Sequence, residues 1–280
     1  MEKKKITTIK PKTGWLDINL KEIWQYKDLI KMFVKRNFTT MYKQTILGPL
    51  WFIINPIMTT LVFTLVFGNI AGLSTDGTPA FLFYLAGNTV WSYFSTCLTN
   101  TSNTFTGNAH IFGKVYFPRL TMPIATVIFG LISFMIQFLM TVIVYIYYFA
   151  IGAVPAITPL VLLTPLLVLE IMLLGLGFGI IISSLTTKYR DLNVLVGFGV
   201  SLWMYATPIV YTTATLPETW RNIIMLNPMS PIVETFRYIF TGAGGVPVEY
   251  LLLSVITTVV VLTLGIILFS KVEKTFMDTV

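Results

Sequence analysis

Residues 43 to 70, Lys43 through Ile70, read KQTILGPLWFIINPIMTTLVFTLVFGNI. One lysine opens the stretch and no charged residue follows it before Ile70. About 20 apolar residues cross the hydrocarbon core of a bilayer, so this run is long enough to span. Lysine and arginine are retained on the cytoplasmic side during insertion, so Lys43 marks the end at which the span is entered.

Working outward to the left, 11 of the 19 lysines and arginines lie between Lys3 and Lys43. To the right, six more fall in three short patches: Lys114 and Arg119, Lys188 and Arg190, Lys271 and Lys274. Only Arg221 and Arg237 lie elsewhere. Long apolar runs separate the patches. The spacing predicts an all-α membrane protein with six transmembrane helices, at about 46–70, 81–104, 120–150, 158–185, 193–212 and 250–270, with both termini cytoplasmic. The connections 71–80 and 152–155 carry no lysine or arginine and are read as outside. Residues 1–20 form a Lys-rich arm without the apolar region of a cleavable signal.

Residues 21–45 are read as an amphipathic helix on the cytoplasmic interface. Ile23, Tyr26, Ile30, Phe33, Val34, Phe38, Met41 and Tyr42 recur at steps of three and four, while Lys27, Lys31 and Lys35 form a separate stripe. Residues 46–280 form the membrane domain. Within it, 213–249 holds charges and apolar patches too short to cross, interrupted by Pro217, Pro228 and Pro231. Such a segment sits at membrane depth only if buried in protein or lining a cavity, so short re-entrant helices are expected on the outer side.

Composition supports this reading: hydrophobic residues make up 55% and charged residues 11%, with a mean hydropathy of +0.78. The net charge of +7 is concentrated beside the membrane, where anionic headgroups account for it, so nucleic acid is not an expected partner. Cys97 and His110 are the only cysteine and histidine, which leaves no disulfide framework and no multi-His metal site. Glu170 is the one ionisable side chain well inside a span. It is read as a helix–helix hydrogen-bond partner, with a proton carrier as the alternative. The string Gly107 to Val115 has one residue too many between its glycines for a phosphate-binding loop and lacks Ser or Thr after Lys114, so the chain is not an ATPase. Outer acids without histidine or metal make an enzyme a weak reading.

The second span mixes Trp91, Tyr93 and Phe94 with Asn88, Ser92, Ser95, Thr96, Thr99 and Asn100. Stacking rings beside hydroxyl and amide groups suit a sugar chain. Gly175, Gly177 and Gly179 on the fourth span suit close helix packing. Arg221 and Arg237 need compensation, which Glu218 or Glu234 would supply.

Five strings, in order, resemble the permease subunits of polysaccharide-exporting ABC transporters of the O-antigen type. They are Lys43-Gln44-Thr45-Ile46-Leu47-Gly48-Pro49-Leu50-Trp51 with Asn55-Pro56; Lys114-Val115-Tyr116-Phe117-Pro118-Arg119; Tyr189-Arg190-Asp191-Leu192; Ala206-Thr207-Pro208-Ile209-Val210-Tyr211; and Leu226-Asn227-Pro228-Met229-Ser230-Pro231. The resemblance covers about 35–275. It implies a homodimer in the bacterial cytoplasmic membrane that moves lipid-linked polysaccharide, driven by two copies of a separate ATP-binding subunit that hold ATP and magnesium. Capsule or teichoic-acid export by the same architecture, or ion-coupled transport, are the alternatives. It also implies that Lys114, Tyr116, Phe117, Pro118, Arg119, Tyr189, Arg190 and Asp191 meet the ATPase. On the same reading Trp91, Tyr93, Phe94, Asn88, Thr99 and Asn100 line the glycan channel. One of the outer arginines could alternatively meet the pyrophosphate of a lipid carrier.

Overall fold

A computed structural model of the chain describes residues 20–43, 45–112, 114–115, 117–187 and 191–279. All regular structure among these residues is helical.

The amphipathic segment forms two pieces, α1 (Leu20–Gln25) and α2 (Lys27–Tyr42), separated at Tyr26. Its apolar residues divide between two surroundings. Phe33 is buried against the body of the protein, whereas Trp24, Met32 and Met41 are exposed. A turn at Gly48-Pro49-Leu50 opens α3 (Trp51–Phe63), which continues through the wider π-helical turns of Thr64–Ile70. The chain reverses across 71–79 and descends as α4 (Ala80–Ser102), followed by α5 (Thr104–Phe112). It rises as α6 (Thr121–Ala150), returns as α7 (Thr164–Thr186) and rises again as α8 (Leu192–Tyr205). Two short helices, α9 (Glu218–Met225) and α10 (Met229–Thr241), precede the long α11 (Val248–Thr279).

Four helical stretches among the described residues are long and apolar enough to cross a membrane: Gly48–Ile70, Thr121–Ala150, Pro159–Thr186 and Val248–Val272. Two expected spans differ for separate reasons. At about 1.5 Å per residue, α4 is long enough, but its hydroxyl and amide groups lower its hydropathy. Helix α8 ends at Tyr205, so its 14 residues cover only about 21 Å, against a hydrocarbon core of about 30 Å.

The core is built on α4 and α7, with α11 on the far side of α7 and α6 and α10 against α4. Leu82 through Trp91 are buried without a break. Glycines permit this closeness. A Cβ at Gly175 would lie 2.6 Å from Cys97 Cβ, and one at Gly179 would lie 2.5 Å from Thr101 Cβ. These two glycines, one turn apart, place the α7 backbone against α4. Gly177 and Gly265 do the same between α7 and α11, where added Cβ atoms would lie 3.0 Å from Leu262 N and 2.7 Å from Ile180 Cγ1. Between helices in lipid, small residues and buried hydrogen bonds replace the hydrophobic effect as the cohesive term.

Much of the polarity of α4 serves that purpose. Thr89 Oγ1 meets Thr141 Oγ1 on α6 at 3.0 Å, and Tyr93 OH donates to the Val127 carbonyl at 3.3 Å. Gln137 of α6 donates to Ser92 Oγ at 3.4 Å. At the lower end the Phe105 amide donates to Ser183 Oγ at 3.3 Å, and Thr186 Oγ1 donates to the Ser102 carbonyl at the same distance.

Alternating direction gathers the loops into two groups. Phe105 stacks on Phe269 with centroids 4.5 Å apart, and Phe33 lies 5.6 Å from Phe117. These contacts bring α2, the 113–120 connection and the C-terminal part of α11 to one end. At the opposite end Thr212 Oγ1 donates to Asp76 at 3.1 Å, and Tyr145 OH donates to the Pro155 carbonyl at 3.0 Å.

Candidate functional site

At the basic end, Phe117 and Pro118 are buried. Phe117 packs between Phe33 of α2 and Phe112 of α5, the latter at 5.7 Å. The Arg119 guanidinium lies over the Phe112 ring at 5.6 Å and is half-buried, while Lys114 and Val115 are exposed. Arg36 of α2 sits over Phe33 at 5.0 Å and reaches Asn108 Oδ1 at 3.5 Å. Phe117 therefore joins α2 to the bundle with Pro118 buried beside it, and the outward chemistry of this loop belongs to its neighbours. Asp191 is exposed. Tyr116, Tyr189 and Arg190 lie outside the described residues.

In the middle of the molecule, α4 has two unlike sides. Trp91, Phe94 and Phe178 surround Trp203 of α8 at 6.4, 5.1 and 5.0 Å, and Tyr93 packs on Phe134 at 5.2 Å. Trp91, Tyr93, Phe94 and Phe134, with Asn88, are buried by helices of the same chain, and Phe178 and Trp203 are partly buried. The side that remains accessible carries Ser92, Ser95, Thr96, Thr99, Asn100 and Asn103. At 100° per residue these six fall on a single face. Ser95 and Asn103 bond carbonyls of their own helix, at 3.2 and 3.1 Å, and Thr99 also bonds the Ser95 carbonyl. Of the six expected lining residues, Thr99 and Asn100 stand on this face. The sequence reading placed Ser92, Ser95 and Thr96 in the same span without separating them from the rings, and it omitted Asn103. The helical period of the small polar residues was the available signal.

The end opposite the basic loops is organised around the two outlying arginines. Arg237 is buried, its guanidinium 3.8 Å from the Phe83 ring centroid and 3.5 Å from Glu234. It donates to the Pro208 carbonyl and, at 3.4 Å, to that of Ile209. Arg237 thus ties α10 to α4 and to the 206–212 segment. Burial pushes the Glu234 carboxyl up, with the Arg237 charge and hydrogen bonds from Thr213 pulling the other way. The Arg221 side chain is exposed and makes no hydrogen bond or ion pair among the described residues. Glu218, one turn before it, is also exposed. The two arginines therefore have different fates: one is a structural tie and the other is open.

Asn227 and Pro228, between α9 and α10, form a second junction. Asn227 Oδ1 accepts from Trp203 Nε1 at 3.0 Å, and its amide donates to Thr207 Oγ1 at 2.8 Å. Ser254 Oγ of α11 lies 2.8 Å from the Pro228 carbonyl and 2.5 Å from Glu170 Oε1 of α7. Glu170 is therefore placed as a hydrogen-bond partner between helices. No group of three or more metal-ligating side chains occurs among the described residues.

A polar face on an otherwise sealed helix, within a bundle of long apolar helices and with basic loops at one end, describes a multi-pass membrane transport subunit. The chain belongs to the ABC-2 type transporter family, whose model matches residues 28–241. It is 28% identical over 253 residues to an O-antigen export system permease protein RfbA of Klebsiella pneumoniae, covering 90% of this chain and 94% of the relative. A second protein of that name from Klebsiella pneumoniae is 29% identical over 253 residues, with the same shares covered. An O-antigen export system permease protein RfbA of Myxococcus xanthus is 27% identical over 263 residues, covering 93% of this chain and 98% of the relative.

Proposed function

We propose that this chain is the membrane subunit of an exporter of lipid-linked polysaccharide, and that the polar face of α4 forms part of the glycan path. Ser92, Ser95, Thr96, Thr99, Asn100 and Asn103 carry the reading. Partly accessible hydroxyls and amides facing hydrocarbon would be costly, whereas a water-filled path accepts them and supplies donors and acceptors to a passing sugar. Trp91, Tyr93 and Phe94 then stand behind that face and hold it in place. They meet glycan themselves only if α4 and α8 separate.

In this reading α4 and α8 are the second and fifth of six crossings, both termini are cytoplasmic, and α9 and α10 dip into the outer side. Two copies pair in the bacterial cytoplasmic membrane. The exposed apolar face of α8 (Val194, Leu195, Phe198, Leu202) supports pairing, because open space surrounds Gly197 and Gly199 beside it and small residues favour contact between helices. A separate ABC subunit, two copies per dimer, binds ATP and magnesium and docks at the basic end. There Lys114 and Arg119 supply charge, joined by Asp191 and the neighbouring Tyr116, Tyr189 and Arg190, while Phe117 and Pro118 transmit the push into α2 and α6. The three relatives support O-antigen as the cargo.

Single cysteines at Thr96 and Asn103 test the path. A water-soluble thiol reagent applied to membranes is expected to label both positions and to halt export. A probe at Val260, on an exposed apolar part of α11, is expected to remain unlabelled. Labelling at Val260 but not at Thr96 would overturn the assignment.

A further inference from the structure

The open arginine borders a cavity that the transport path does not use. About 380 Å³ in volume, it is lined by Thr213, Arg221, Asn222, Met225, Glu234, Gly245, Val246, Pro247 and Tyr250, within the range of about 300–1,000 Å³ typical of small-ligand sites. Its wall is shaped by the 242–247 connection, which ends α10 at Gly242 (φ 68°) and turns again at Gly244 (φ 88°). A Cβ at Gly244 would lie 3.3 Å from Glu234 Oε2, so glycine lets the wall close around that carboxylate. Glu234 Oε1 is buried, ion-paired with Arg237 at 3.5 Å and accepts no hydrogen bond. Tyr250 OH donates to Asn222 Oδ1 at 3.1 Å, which fixes the amide and leaves its NH₂ free. Arg221 contributes an unused guanidinium beside it.

We propose that this cavity binds one or two sugar residues of a glycan chain, as a subsite at the end of the molecule opposite the basic loops. The proposal rests on the glycan-export reading. Two alternative ligand classes fit less well. An anion would meet the Glu234 carboxylate as well as Arg221 in the lining, and the other arginine nearby, Arg237, is already committed to Glu234. An acyl chain would leave the Arg221 guanidinium and the Asn222 NH₂ desolvated without partners. A neutral polyol suits a mixed set: guanidinium and amide donors, a carboxylate acceptor, the Thr213 hydroxyl, and the apolar surface of Met225, Val246 and Pro247 with the Tyr250 ring for C–H faces.

The test uses the full-length protein in lipid nanodiscs and two probes. One is the O-polysaccharide released from the lipopolysaccharide of the source strain and trimmed to short fragments; the other is inorganic pyrophosphate. Saturation-transfer NMR is expected to show saturable fragment binding that weakens about tenfold in Arg221→Ala, the loss expected for a hydrogen bond to a charged group, and that pyrophosphate does not displace. The exposed position of Arg221 leaves the fold intact, and Asn222→Ala, on the same wall, provides a second variant with the same expected direction. Undiminished binding in both variants, absence of binding, or displacement by pyrophosphate would overturn the subsite. Failure of the export reading shows separately: deletion of the gene would leave the long surface glycan of the strain unchanged.

Discussion

Ser254 has one hydroxyl proton and two oxygen neighbours, Glu170 Oε1 and the Pro228 carbonyl. Both contacts are hydrogen bonds when the side chain at 170 brings a donor of its own. Glu170→Gln is therefore expected to preserve both stability and export. Glu170→Leu is expected to lower stability by about 0.6–2 kcal/mol, the scale of interhelical hydrogen bonds in membranes, as read by denaturation in detergent. Loss of export in the glutamine variant at unchanged stability would instead mark a proton carrier. Arg237 obeys a harsher rule, because its removal strands Glu234. Arg237→Met is expected to cost about 3–5 kcal/mol, and adding Glu234→Leu is expected to restore part of it, a non-additivity that a double-mutant cycle measures. The sequence showed that both outlying arginines needed an account. It did not say which of them was sealed, since that depends on Phe83 and the Pro208 carbonyl, residues brought alongside by the fold.

Among the elements, α4 and α7 set the limits. Gly179→Leu would drive a side chain into Thr101, and overpacking of this kind costs about 1–3 kcal/mol or more. A fall in the yield of folded, monodisperse protein is the expected readout, with Gly107→Ala on α5, where nothing lies within 4 Å of an added Cβ, as the tolerated counterpart. Trp91→Ala is expected to lose about 3–5 kcal/mol of packing, so a defect in its export has to be compared with its thermal stability before any role in the channel is assigned. The close-packing glycines of α7 were legible because small residues at one-turn spacing point to a helix contact. The division of α4 into a ring side and a polar side was legible only in part. Composition announced both kinds of residue, but which face stays open depends on where α6, α8 and α10 lie. For α2, periodicity gave the amphipathic helix, while the burial of Phe33 against Phe117 depends on a loop 84 residues away in sequence.

For the whole molecule, charge placement was the most legible property. The basic loops at 113–120, the helix α2 and the end of α11 gather at one end, as alternation of apolar runs requires. Hydropathy served less well for α4, whose polar groups divide between contacts inside the protein and one accessible face, and for α8, which is short and continues as turns. In the proposed reading, energy input comes from another polypeptide acting at the basic end. The most direct test is to co-express the chain with a candidate ATP-binding ABC subunit from the same genome, purify the pair in nanodiscs, and measure ATP hydrolysis with and without lipid-linked O-polysaccharide. The account predicts a stable complex whose hydrolysis is stimulated by the glycan lipid, with stimulation lost in Arg119→Glu while the protein still inserts. A complex indifferent to the glycan lipid, or one in which Arg119→Glu leaves stimulation intact, would contradict it.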